Sequence, residues 1–374
     1  MTDVIVTLNA GSSNLKYSVY RVADMALADK DKIEFDHCAA KAAQHSPLAN
    51  AVDRVIALVE NRFGQQSIVA VGHRVVHGGD QFVEPTRVSA QVVADLKKLI
   101  PLAPLHLPAE LDAIDIITEH YPQLPQVICF DTAFHQTQMP LSEWFALTRE
   151  LKEQGVKRYG FHGLSYQYIA QVLADNLQPE HRQRVVVAHL GNGASMCAMA
   201  NGQSVTTTMG FTALDGLMMG TRCGELDAGV VLHLCQEQGW SLEQVQTLLY
   251  KQSGLLGVSG ISSDMRALEN SPAPEALEAR QLFAFRAAQK LASLIPALQG
   301  LDAIVFTGGI GEHSAATRQM IIEHLGWLGA ELNVAANSDH NRMVHLAGSA
   351  VGIYIIPTNE ELMIARDTAQ LLNL

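Results

Sequence analysis

Arg74 stands inside the apolar run 69–76 (VAVGHRVV), where a cation is costly unless an anion meets it. A structural ion pair and an anion-binding role fit that position equally well. Asp131 follows the apolar run 126–130, and a carboxylate at the end of a buried strand is a favoured catalytic position in α/β folds. A helix-capping Asp has the same appearance. His162 lies between two glycines in RYGFHGLS, on a loop that offers little to pack against, and this favours a functional reading. Arg222 is the single cation of residues 209–229, a stretch with five glycines whose backbone entropy would weaken a plain helix or strand. That stretch reads as a loop shaped for a ligand.

Three turns of small residues could cradle phosphate. The first, Asn9 to Asn14, links the strand containing Val4, Val6 and Leu8 to a second strand that begins near Lys16. The alternation there suggests a strand with one buried face. Backbone N–H groups and hydroxyls in such a turn approach an anion closely, and Lys16 adds charge. An ordinary hairpin with a polar tip would look alike. The pattern returns, however, at 185–195, where an apolar strand runs into Gly191, Asn192, Gly193, Ala194 and Ser195. Both copies continue as a meander: 196–199, a turn at Asn201 and Gly202, then 204–208 in the second, against a turn at Asp29 to Asp31 and a strand at 32–35 in the first. A third turn, Thr307 to Glu312, follows the strand 303–306. Repetition on this scale predicts two related domains sharing a nucleotide cleft.

The elements that must position these residues follow from periodicity and caps. Helices are expected at 47–62, 89–99, 108–120, 166–176 (capped by Ser165), 241–252, 275–294, 315–325 (capped by Ser314) and 362–372. Residues 101–108 contain three prolines around His106 and read as an extended loop. Residues 262–266 read as a polar turn, and 351–356 as a late strand. The fold class is α/β, with two related RNase H-like domains of the actin-like ATPase type. Their boundaries are expected at 1–133 plus 362–374 for the first domain and at 134–361 for the second.

The 374 residues suffice for two full cores, and 48% hydrophobic with 17% charged residues marks a globular chain. A net charge of -12 argues against a nucleic-acid partner, while cleft arginines can still attract small anions. Five cysteines without CxxC spacing are expected as reduced thiols. With no signal-peptide pattern and no membrane-length apolar run, a cytoplasmic protein with no membrane partner is expected. GxxxxGK[ST], HExxH, GxSxG and zinc-type spacings are absent from the sequence.

The segments TLNAGSSNLK, GHRVVHGG, PLAPLH, FDTAFH, RYGFHGLSY, HLGNGAS, MGTRCGELD, GISSDMR, FTGGIGE and PTNEELMIARDT resemble, in order, the motifs of the acetate kinase family, whose close relatives are propionate kinases. The resemblance runs from about residue 4 to residue 368. It implies ATP as co-substrate, Mg²⁺ (with Mn²⁺ as an alternative ion), acetate or another short-chain carboxylate as acceptor, and a homodimer. Asn9 and Glu360 would hold the metal, and Lys16 would contact the nucleotide side. His189, Leu190, Gly191, Asn192, Gly193, Asp264, Met265, Arg266, Gly308, Gly309, Ile310, Gly311 and Glu312 would line the ATP site. Arg74 would clamp the carboxylate, with Val76, Leu105 and Phe161 around its alkyl group and His106 as an auxiliary polar residue. Asp131 would be the catalytic acidic residue, and His162 and Arg222 would stabilise the transferring phosphoryl group.

Four positions depart from the family pattern: Asn14 for Ser, Leu107 for Asn, Ala213 for Pro and Ala228 for Pro. A smaller side chain at Ala213 could admit a longer acid. A carboxylic acid with a pKa of about 4 arrives ionised, so transfer needs no general base, and direct in-line displacement is expected. The alternatives are a propionate kinase, a kinase of hydroxyl substrates and, more remotely, a non-catalytic actin-like nucleotide switch.

Overall fold

The computed structural model describes residues 2–11, 13–35 and 46–374; Ser12 and Cys38 of the sequence reading lie outside the described residues. The chain forms two compact units, one of Met1–Phe134, Phe161–Gln167 and Asn359–Leu374, the other of His135–Gly160 and Tyr168–Thr358. Phe161–Gln167, numbered with the second domain on the sequence boundaries, groups with the first unit.

The first unit is built on a sheet of β1 (Val4–Ala10), β2 (Asn14–Arg21), β3 (Leu27–Glu34), β4 (Ile68–Val75), β5 (Thr86–Arg87) and β6 (Gln126–Phe130), in the order β3-β2-β1-β4-β6-β5. β1, β2 and β3 form an antiparallel meander, and β4 and β6 add in parallel. The second unit repeats the design with β7 (Arg184–Leu190), β8 (Ala194–Ala200), β9 (Gln203–Thr207), β10 (Ala303–Thr307) and β11 (Gly352–Ile355), ordered β11-β10-β7-β8-β9. Three antiparallel strands followed by two parallel ones in each unit give the α/β, RNase H-like architecture expected from the repeat. The β8–β9 turn is closed by Asn201 at φ 52° and Gly202 at φ 78°, the backbone a tight hairpin requires.

Three local expectations are corrected. The β2–β3 turn lies at residues 22–25, where Asp24 accepts the Ala26 N–H and pairs with Arg21. Asp29, Lys30 and Asp31 instead belong to β3, an edge strand whose charges blunt the edge. β1 is buried on both faces: Val4, Val6 and Leu8 pack with helix Pro47–Phe63, while Ile5 packs with Ala365 and Ala369 of the terminal helix Glu360–Leu372. Finally, Gly308 to Gly311 opens a short helix, Gly308–His313, and Arg266 lies in another, Met265–Glu269, where turns were expected.

Gly72 on β4 fixes the seat of the terminal helix. A Cβ there would stand 2.5 Å from both Ile364 Cγ2 and Thr368 Oγ1. Only the missing side chain allows this approach, and the approach sets Glu360, in the helix's first turn, near the end of β4.

Candidate functional site

In the first unit the sequence-predicted residues gather around Arg74. Its Nε and Nη2 donate to Asp131 Oδ1 and Oδ2 at 3.0 and 2.5 Å, its Nη1 reaches Asn9 Oδ1 at 3.4 Å, and Glu360 Oε2 lies 3.9 Å away. Parallel pairing sets Arg74 opposite Cys129, two residues before Asp131. Antiparallel pairing sets Lys16 opposite Asn9. Lys16 is exposed and adds positive charge near Glu360.

Asp131 thus engages part of the Arg74 guanidinium. One edge of the guanidinium is already given to Asp131, and a substrate anion would meet what remains. Burial alone would disfavour the Arg74 charge, but Asp131 and Glu360 outweigh it and hold the guanidinium more firmly protonated than usual. The carboxyls respond in the opposite direction. Burial, reinforced by Asp131 and opposed by Arg74, pushes Glu360 up to about 7. Glu110 is pushed up to about 8 by burial, with Arg74 again opposing. The sequence reading did not single out Glu110; its carboxylate-type side chain is 3% exposed and accepts the Val76 N–H at 2.9 Å.

Asn9 and Glu360 offer two hard oxygen donors to one small region. Such a set suits Mg²⁺, which takes one or two carboxylates and completes its shell with water and phosphate oxygens. Among the described residues no group of three or more His, Cys, Asp or Glu could hold a metal by itself.

The remaining acid-side residues are placed unevenly. Val76 and Phe161 are buried, and the Phe161 ring meets His77 edge-on at 5.6 Å. Leu105 is 37% exposed, and His106 is half-buried at the start of helix Leu107–His120. His162 has φ 58°, a left-handed conformation costly for a side chain with a Cβ. It immediately precedes helix Gly163–Asn176, so Ser165 lies inside that helix and is not its cap. The Gly163 N–H donates to the Asp131 carbonyl at 2.8 Å, which ties the His162 loop to the strand end carrying Asp131.

The second unit holds a cavity of about 540 Å³. Of the predicted nucleotide residues, Gly191, Asn192, Asp264, Met265, Arg266, Gly309 and Ile310 line it. His189, Leu190, Gly193, Gly308, Gly311 and Glu312 do not. Leu190 is fully buried in the core, and Glu312 turns inward, accepting the N–H groups of Gly308 and Thr358 at 2.9 and 3.2 Å. Asp264 caps its helix through the Arg266 N–H and pairs with the Arg266 guanidinium at the surface. Ser263, Glu269, His313 and Ser314 also line the cavity and were not foreseen.

Arg318, fully buried, was missed as well. It donates to the Gly311 and Glu312 carbonyls at 2.9 and 3.0 Å and to Asn337 Oδ1 at 2.7 Å, anchoring the helix that carries Gly309 and Ile310. Arg222 is half-buried in the stretch between β9 and helix Ala228–Gln236, which contains no helix or strand; its Nη1 donates to the Ala213 carbonyl at 2.5 Å.

A half-buried arginine ringed by carboxyls and an amide in the first unit can bind an anion, and a cavity of nucleotide size bordered by glycines in the second can receive phosphates. Comparison with known proteins agrees. The profile of the acetokinase family matches residues 4–366. An acetate kinase of Rhodopseudomonas palustris is 47% identical over 391 residues, covering 98% of each chain. Among solved structures, a propionate kinase from Francisella tularensis is 34% identical with a TM-score of 0.90, covering 98% of this chain and 99% of its own. An acetate kinase from Porphyromonas gingivalis is 32% identical with a TM-score of 0.86, covering 99% of this chain and 100% of its own. This chain belongs to the acetokinase family.

Proposed function

We propose that this enzyme transfers the terminal phosphoryl group of ATP directly to acetate, reversibly, giving acetyl phosphate and ADP. The observation that carries the reading is the half-buried Arg74 guanidinium, oriented by both oxygens of Asp131 beside Asn9 and Glu360. The reading assigns the acid to the first unit and the nucleotide to the second.

Acetate is ionised at neutral pH, so no proton has to be removed before attack. Asp131 fits this requirement, because both its oxygens are engaged by Arg74 and it acts by holding that cation in place. The residual donors of Arg74 receive the carboxylate, and Val76 and Phe161 shield its alkyl end from water. Mg²⁺, held by Asn9 and Glu360, would supply neutralising charge to the nucleotide phosphates. His162 and Arg222 donate to the equatorial oxygens as charge spreads over the transferring group. The cavity of about 540 Å³ falls within the size range of ligand pockets.

A single in-line displacement inverts configuration at phosphorus. With ATP made chiral at the γ-phosphorus, inversion supports this mechanism and net retention contradicts it.

Propionate is the second reading, favoured by the similarity to the Francisella propionate kinase and by the partial exposure of Leu105. One methylene is worth only about 1–3 kcal/mol of discrimination, so the two acids are expected to be neighbouring substrates. The protein also acts as a homodimer in this reading. Leu226, Val230, Leu232 and Leu242 are individually exposed on and around helix Ala228–Gln236, apolar surface that a second copy would cover. A cytoplasmic setting accords with the four described cysteines being free thiols and with no helix among the described residues being long and apolar enough to cross a membrane.

A further inference from the structure

Glu110 sits on helix Leu107–His120, 3% exposed, and no motif of the resemblance includes it. It touches two parts of the acid side at once. Its Oε2 accepts the N–H of Val76 at 2.9 Å, and its own N–H donates to the carbonyl of His106 at 3.3 Å. The pairing of β4 with β6 ends at Val75 opposite Phe130, so the Val76 N–H has left the sheet ladder. A buried N–H at that point needs an acceptor, and Glu110 supplies it.

We propose that Glu110 is a positioning residue for the acid pocket, fixing Val76, two residues beyond Arg74, against the helix start that carries His106. This rests on the assignment of the acid to Arg74 and Val76 made above. Removing the acceptor frees the end of β4 and loosens the pocket wall, leaving the nucleotide site untouched.

The type of acceptor matters too. The charged groups acting on Glu110 from the packed elements are Arg74 of β4 and Asp131 beyond β6, with Glu360 of the terminal helix reaching the same Arg74 guanidinium. Burial keeps the Glu110 carboxyl neutral until about 8. A neutral acceptor holds Val76 without adding another anion where a substrate carboxylate must bind. Ionised Glu110 would compete for the Arg74 field and repel the acid.

The test is steady-state kinetics of acyl phosphate formation at saturating Mg·ATP, from pH 6 to 9.5, for the wild type, Glu110→Ala, Glu110→Gln and Arg74→Ala. Glu110→Ala should raise KM for acetate about tenfold, the effect of one lost buried hydrogen bond, with kcat and the KM for ATP changed by less than about threefold. Glu110→Gln, which retains an oxygen for the Val76 N–H, should restore KM at pH 7 and flatten the rise in acetate KM that the wild type shows above about pH 8. An unchanged acetate KM in Glu110→Ala overturns the proposal. So does an alkaline rise in Glu110→Gln equal to that of the wild type, a readout that survives if the alanine variant fails to fold. If Arg74→Ala also leaves acetate KM unchanged, the assignment of the acid site is what fails; if it raises KM while both Glu110 variants behave as wild type, only the role of Glu110 is lost.

Discussion

Arg74 and Asp131 form a two-point ion pair, Nε to Oδ1 at 3.0 Å and Nη2 to Oδ2 at 2.5 Å, with the Asp131 side chain 1% exposed. Breaking a buried pair leaves an uncompensated charge, which costs more than the pair itself contributes. Asp131→Asn keeps one acceptor oxygen and removes the charge. It should destabilise the protein by about 3 kcal/mol in urea unfolding and lower kcat/KM for the acid. Wild-type stability and kinetics in that variant would contradict the orienting role.

Gly72 brings the terminal helix against β4, and with it Glu360 to Arg74. In Gly72→Ala the new methyl would overlap Ile364 and Thr368 and push the helix outward. A loss of about 1–3 kcal/mol is expected in thermal or chemical unfolding, with a higher Mg²⁺ requirement for activity. Gly326→Ala is the control, since nothing lies within 4 Å of a Cβ there, and it should change stability by less than about 0.5 kcal/mol.

Stability should also carry the signature of Glu110. Its native carboxyl keeps a proton until about 8, whereas in the unfolded chain it releases it near the ordinary Glu value of about 4.3. Between those values the native state binds more protons than the unfolded one, so stability falls as pH rises through the window. Glu110→Gln lacks this slope. Unfolding measured at pH 5 and pH 8.5 should therefore show the wild type losing stability relative to the variant, and parallel behaviour of the two proteins would contradict the assignment.

Arg222→Ala should lower kcat by about 10³ with little change in either KM, because an arginine that meets charge developing on the phosphoryl group acts in the transition state. A variant with near-normal turnover would assign Arg222 to the loop alone, through its bond to the Ala213 carbonyl.

What the sequence disclosed, and what it hid, follows from how each signal is written in the chain. The repeated strand and small-residue turn were legible because both copies need the same meander, and the two sheets share the order of five strands, β5 being added in the first. Arg74 was visible because a cation inside an apolar run contradicts its surroundings. Glu110 and Arg318 were not visible: each lies in an amphipathic helix where one charged residue normally faces water, and only tertiary packing buries it. The second buried face of β1 was hidden for a related reason. The helix that covers it lies at the far end of the chain, beyond the reach of any local pattern. The charges of β3 suggested a turn because an edge strand and a turn are both polar.

The central claim is that an ionised short-chain acid accepts phosphate directly from ATP on this protein. Trapping the product with hydroxylamine measures it, with acetate, propionate, butyrate and glycerol offered separately alongside Mg·ATP. Hydroxamate should form with acetate and propionate, fall off with butyrate, and be absent with glycerol. ATP consumption with glycerol alone, or no hydroxamate from any acid, would contradict it.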